Sequence, residues 1–361
     1  MWAQVAEVDY PAILAQAWAQ HLAPRAENAP TVVSLFAGCG GSSLGYSMAG
    51  YRELLAVEWD NNAVETFQLN FPDVPVYHGD IAKLSVEECL RLTGLEPGQL
   101  DVLDGSPPCQ GFSTAGKRNL DDDRNQLFRE YVRLLRGLRP RVFIMENVSG
   151  MVKGKMKLVF AEAMRELKAS GYKVSCRLLN AMYFWVPQSR QRLIFIGVQD
   201  DLGIEPSHPR AEAKPVTVRD AWFGLSENVK DASMCHWWID AKPGSKTAVA
   251  LENTAQGQTL RGFSMSRRLA WDHVAGTIQT GGVAPGYPGS SWPSHPTSPR
   301  GISTREAARC ASFPDDFGFR DWRDGAKRIG NSVPPLFMRA IAGHVRREIL
   351  ALANQEAQRG G

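Results

Sequence analysis

The chain has 361 residues, 43% of them hydrophobic and 22% charged, with a formal net charge of +3. That length predicts one large and one smaller domain of ordinary globular composition, and so small a charge is no argument for nucleic acid by itself. No apolar run approaches the roughly 18–20 residues of a membrane span, and the N-terminus lacks a basic-then-apolar signal pattern. The six cysteines contain no CxxC pair, so neither a zinc cage nor a disulfide framework is indicated, and reduced thiols in a cytosolic protein are expected.

Leu14, Trp18 and Leu22 repeat at helical spacing and predict a helix over residues 12–22. Residues 31–36 read as a strand, and strand and helix signals then alternate. Strands are expected over 54–57, 74–77, 102–103, 142–145 and 193–198, and helices over 61–70, 86–92, 125–137 and 158–170. Such alternation predicts an α/β fold, a doubly wound and mostly parallel sheet with ligands at the strand C-termini. Beyond about residue 205 the pattern breaks into irregular strands and a Gly/Pro/Ser-rich loop over 281–299, with helical signal returning at 303–312 and 335–354. Between Pro206 and Arg300 stand ten Lys/Arg against seven Asp/Glu, and five of the ten tryptophans (Trp222, Trp237, Trp238, Trp271, Trp292). Basic groups with flat rings suit a nucleic-acid surface, although tryptophans more often fill a core.

Four constellations carry chemistry. In TVVSLFAGCGGSSLGY a strand ends at Phe36 and the chain turns through Gly38, Gly40 and Gly41 into a helix, where glycines let a ligand approach the backbone. The spacing is G-x-G-G and lacks the pyrophosphate fingerprint. The next strand ends in Glu58-Trp59-Asp60 and the third in His78-Gly79-Asp80-Ile81. A carboxylate for ribose hydroxyls, a ring for a base and an acceptor for an exocyclic amine describe a nucleoside pocket without phosphate ligands. That favours S-adenosylmethionine over NAD. The second constellation, DVLDGSPPCQGFS, presents Cys109 after two prolines at a strand end, where a thiol with a pKa of about 8.5 needs help to become a nucleophile. The third, VFIMENVSGM, places Glu146 at the end of another strand, either as a proton donor to a ring nitrogen or as a helix N-cap. The fourth, VPQSRQRLIFIG, sets Arg190 and Arg192 two apart, on one face of a strand. They form either a clamp for a carbonyl or phosphate, or an exposed basic edge.

In their order, these segments resemble the DNA (cytosine-5) methyltransferase family: FAGCGG, EWD, GDI, GSPPCQGFS with DRNQLFREYVRLL, ENV, QSRQR, TREAARCASFPDDF and RIGNSVPP. The resemblance implies attack of Cys109 on C6 of a flipped-out cytosine, with Glu146 on N3 and the 4-amino edge and Arg190 and Arg192 on O2 and backbone. C5 of cytosine is a poor nucleophile unaided, so covalent activation is needed, and a duplex hides that carbon. S-adenosyl-L-methionine, released as S-adenosyl-L-homocysteine, would be lined by Phe36, Gly38, Gly40, Gly41, Glu58, Trp59, Asp80, Ile81 and Ser106. Asn331 and Ser332 would close that pocket. Residues 110–123 would act as a lid. Residues 206–317 would form a target-recognition domain on a large domain of residues 1–205 and 318–361. Double-stranded DNA would be met by Ser113, Lys117, Arg118, Arg261, Arg267, Arg268 and Thr277. No metal is implied. A monomer in the prokaryotic cytosol and nucleoid is expected, with a cognate nuclease or defence system as partner.

Four features depart from the family pattern: Ser34 in place of Asp, Trp185 in place of Gly, Cys310-Ala311 in place of Leu-Gln, and a long N-terminal lead. The rival readings are an amino-methyltransferase using the Ser106-Pro107-Pro108 loop, a tRNA cytosine-5 methyltransferase, a DNA-binding protein without catalysis and, last, a dehydrogenase.

Overall fold

The computed structural model describes residues 8–108, 123–154, 156–260, 266–280 and 291–360. Its centre is a seven-stranded sheet of β1 (Thr31–Leu35), β2 (Arg52–Glu58), β3 (Val76–His78), β4 (Val102–Gly105), β5 (Val142–Val148), β6 (Tyr172–Asn180) and β7 (Gln191–Gln199). The strand order is β3-β2-β1-β4-β5-β7-β6. The strands from β3 to β5 run parallel, and β7 lies antiparallel between β5 and β6. The order reverses at β1, so a crevice opens beyond the C-terminal ends of β1 and β4, where open α/β sheets bind ligands.

Alternate residues enter two cores, which is why these strands read as unbroken apolar runs. Val32, Val102 and Ile144 face one core, while Val33, Leu103, Phe143 and Met145 face the other. The helices preceding the sheet's second half are α1 (Tyr10–Leu22), α2 (Gly41–Met48), α3 (Asn61–Asn70), α4 (Val86–Thr93), α5 (Asp123–Leu138) and α6 (Met156–Lys168). Residues of α4, α5 and α6 fill the second core, and residues of α1 and α2 the first. Downstream lie α7 (Val218–Ala221), α8 (Lys246–Glu252), α9 (Thr304–Cys310), α10 (Trp322–Asn331) and α11 (Pro335–Val345). The last continues through a π turn, Arg346–Leu350, into α12 (Ala351–Gly360).

Two features differ from the sequence reading. The strand over 193–198 does not close a parallel series, because β7 runs against β5. Strand β6 was not anticipated at all. It sits at the sheet edge and is largely half-buried or exposed, so its residues (YKVSCRLLN) carry no apolar run to read.

Residues 206–317 contribute no strand to the sheet among the described residues and are held by polar ties. Arg300 makes a two-bond fork to Glu306 at 2.8 and 2.7 Å, with both side chains 2% exposed. Glu306 also closes a capping box with Ser303 at the start of α9. Arg305 donates to the carbonyls of Met234, Pro314 and Phe317, and Arg309 pairs with Asp315. The charged letters of TREAARC therefore serve the fold. Three of the five tryptophans of this region, Trp222, Trp238 and Trp292, are core residues.

Candidate active site

The glycine turn follows β1 directly. Phe36 takes φ +58°, Gly38 φ +58° and Gly40, which caps α2, φ +95°. Gly41 packs against protein: a Cβ there would lie 2.5 Å from the Val333 carbonyl oxygen and 3.0 Å from Ser332 Cβ. At Gly38 no atom lies within 4 Å of that position. Of these two glycines, Gly38 is therefore the one that faces open space, and Gly41 serves the approach of residues 332–333.

Glu58 ends β2 and holds the turn. Its Oε2 accepts from Gly38 N at 2.8 Å, and its Oε1 accepts from the N–H groups of Trp59 and Asp60. Trp59 is left 77% exposed beside it, a free ring face for stacking. Asp80 is exposed and accepts from Ala82 N, capping a short helical turn that starts at the buried Ile81. Asn331 is exposed at the end of α10. Ser332 contacts Cys39 Sγ at 3.2 Å through its hydroxyl. Asp60, read in the sequence as part of the Glu58-Trp59-Asp60 strand end but not assigned to the cofactor, also belongs to this wall. It caps α3 and accepts from Lys327 and Arg328 of α10, tying the segment before Asn331 to the EWD corner. The signal was an Asp directly before a helix.

Across the crevice β4 ends at Gly105, in register with Met145 of β5. Strands lie about 4.8 Å apart, so the half-buried Ser106 is set beside Glu146. Asn147 Nδ2 donates to the Pro107 carbonyl at 3.0 Å and fixes the turn to β5. Glu146 is 8% exposed and meets Arg192 Nε at 2.6 Å. The antiparallel register sets Arg192 opposite Val148 and Glu146 opposite Ile194, so the pair spans a same-face diagonal. Val148, not Glu146, caps the following turn, which removes the N-cap alternative.

Arg190 is 3% exposed, and its two terminal nitrogens donate to the Ile278 and Gly330 carbonyls at 3.2 and 3.0 Å. Burial, and then the adjacent Arg192, work against its charge, while Glu146 favours it. The two arginines thus divide: Arg192 faces the carboxylate, and Arg190 ties residues 278 and 330 together.

The thiols of Cys39 and Cys89 are pushed up to about 11 by burial and those of Cys176 and Cys310 to about 12, and Cys235 is raised as well. None of these five carries the lowered pKa of a reactive thiol. Cys109, Ser113, Lys117, Arg118 and Arg261 lie outside the described residues, as does the segment expected to be a lid. Arg267 and Thr277 are exposed, with bonds to the Gly257 and Ser189 carbonyls. Arg268 is a correction. It is 8% exposed and donates to the carbonyls of Leu251, Thr254, Pro296 and Thr297, so its guanidinium organises a loop and is not free for a phosphate.

The model of the family described as C-5 cytosine-specific DNA methylase matches residues 30–347. The chain belongs to that family. The methylase is 33% identical to the type II methyltransferase M.XorII of Xanthomonas oryzae pv. oryzae, over 90% of this chain and 89% of that one. It is 35% identical to the type II methyltransferase M1.HphI of Haemophilus parahaemolyticus, over 86% and 85%. A crystal structure of a DNA modification methyltransferase encoded within an E. coli prophage superposes with a TM-score of 0.73 at 28% identity, covering 88% of this chain and 99% of that one. The methylase is thus a DNA cytosine methyltransferase with the Rossmann-like sheet of that class. Among the described residues no helix is long and apolar enough to cross a membrane.

Proposed function

We propose that the methylase carries a methyl group from S-adenosyl-L-methionine to C5 of a cytosine flipped out of a specific double-stranded DNA sequence, through a bond between Cys109 Sγ and C6. The observation that carries this reading is the Glu146–Arg192 pair at 2.6 Å, beside the turn that leads into Cys109. Attack of the thiolate on C6 moves electron density onto C5 and N3. Glu146 holds N3 and the 4-amino edge as that density builds, and Arg192 holds O2. Loss of the C5 proton to a base and β-elimination then free the thiol. Arg190 supports the site from behind.

The residues around the glycine turn fit the methyl donor. Gly38 borders open space, Trp59 offers a ring, and the turn carries no cation for a pyrophosphate. When bound, the donor supplies an electrophilic methyl on a sulfonium. Residues 206–317 are assigned to target recognition, and residues 1–205 with 318–361 to catalysis. The relatives' type II naming supports sequence-specific modification alongside a cognate nuclease or other defence protein, and we assign the methylase as a monomer of the bacterial cytosol.

Duplex DNA bearing 5-fluorocytosine tests the chemistry, since fluorine cannot leave as a proton does and the adduct persists. Wild type with the methyl donor is expected to give a stoichiometric covalent complex, and Cys109→Ser none. Methyl transfer to carbon by Cys109→Ser would overturn the proposal. Bisulfite sequencing of plasmid from an expressing host reads the target motif.

A further inference from the structure

A cavity of about 380 Å³ lies at the C-terminal end of α2, lined in part by Gln20, Glu212, Arg339, Arg346 and Arg347. Helix α2 has 8 residues and rises about 1.5 Å per residue, so the cavity lies roughly 12 Å along the helix from the cofactor turn at its other end. Three arginines face one carboxylate, an excess of positive charge that no element of the methyl-transfer site uses.

Each arginine is placed by a distinct feature. Arg346 Nη1 donates to the Ala49 carbonyl at 2.7 Å, a cation capping the end of α2. Arg347 lies over Gly343, where a Cβ would come within 3.1 Å of Nη1, so the missing side chain makes room for the guanidinium. Arg339, two turns before Arg346 and Arg347, is half-buried, and among the described residues its hydrogen-bond partner is Gln20 Oε1 at 3.4 Å. Burial works against its charge, and Glu212 only partly offsets this. The π turn begins at Arg346, a departure from regular helix that often accompanies functional sites.

We propose that this cavity is a second ligand site, built for a phosphoryl group and separate from the target-base and cofactor sites. Guanidinium forks match phosphate oxygens two at a time, and the volume falls in the range of small-ligand pockets. The group arrives either on a free phosphorylated compound or on the backbone of a nucleic acid.

Calorimetric titration with inorganic pyrophosphate tests the site, with S-adenosyl-L-homocysteine present to fill the cofactor pocket. Wild type is expected to bind, and Arg339→Gln and Arg347→Gln to bind at least tenfold more weakly, with methyl transfer at saturating DNA unchanged. Gly343→Ala, which displaces the Arg347 guanidinium, should weaken binding without removing any charge and guards against a folding artefact in the arginine variants. A duplex without the target motif separates the sources. Its affinity falls in the same variants if backbone phosphate is the ligand and holds if a free compound is. Pyrophosphate that fails to bind wild type, or binds the variants equally, overturns the proposal.

Discussion

Trp185 adopts φ +61°, the left-handed region that a side chain other than Gly enters at a cost of about 1–2 kcal/mol. The sequence placed a tryptophan where the family commonly has Gly, and the backbone shows why Gly suits the position. What holds the strained residue is the N-terminal lead itself: Tyr10 of α1, fully buried, donates its hydroxyl to the Trp185 carbonyl at 3.0 Å. Two departures from the family pattern therefore meet at one hydrogen bond. Two residues on, Pro187 accepts from Ala275, and Gln188 and Arg190 follow, so the strain lies at the entrance to the arginine segment. Tyr10→Phe keeps the ring and deletes the bond. It is expected to lower stability by about 1 kcal/mol, read as a drop in the urea midpoint. An unchanged midpoint would mean that ring packing alone holds Trp185.

At the scale of elements, β1, β4 and the apolar run of β5 were legible because they are buried on both faces, and the helix expected over 61–70 has those ends in the structure, where Asp60 caps it. Strand β6 escaped because an edge strand with a wet face has no such signature. Helix α10 escaped because Trp322, Ala326 and Ile329 are too few apolar positions to register against its charges. The site was legible at its strand ends, where a charged residue after an apolar run is conspicuous. Arg268 and the TREAARC charges misled or fell silent for one reason: a guanidinium bonded to carbonyls looks, in sequence, like one waiting for phosphate. Glu306 shows what such groups contribute. Burial alone would raise its carboxyl, but Arg300 holds it below the usual range. Glu306→Gln keeps the shape and strands a buried cation, which costs about 3–5 kcal/mol. Limited proteolysis should show faster cleavage within residues 206–317, and protection equal to wild type would remove the pair from the list of structural ties.

Across the whole molecule, two carboxyls, the half-buried Glu53 and the buried Asp104, join the central sheet to the cofactor turn. Glu53 of β2 accepts from Ser43 at 2.9 Å, and Asp104 of β4 accepts from Tyr46 at 3.1 Å, both donors on α2. Between them Ser34 is fully buried, and its hydroxyl, with that of Ser43, pulls the Glu53 carboxyl down against its burial. Thus Ser34, standing where the family commonly has an acid, neighbours acids on both flanking strands. Burial pushes Glu53 up to about 7 and Asp104 up to about 8, with Tyr46 and Ser42 pulling Asp104 back and Glu53 and Glu146 adding to its rise. Unfolded carboxyls titrate near pH 4. Above that pH the native state holds protons that the unfolded chain has released, so the contribution of these two groups is complete below about pH 4 and is lost until they have titrated near pH 8. Ionisation would set two negative charges beneath the first turn of α2, the turn that carries Gly41. Asp104→Asn retains an acceptor for Tyr46 and cannot ionise. Urea midpoints measured from pH 5 to pH 8 should fall steadily in wild type and much less in Asp104→Asn. Equal slopes in the two proteins would show that this carboxyl does not govern the decline.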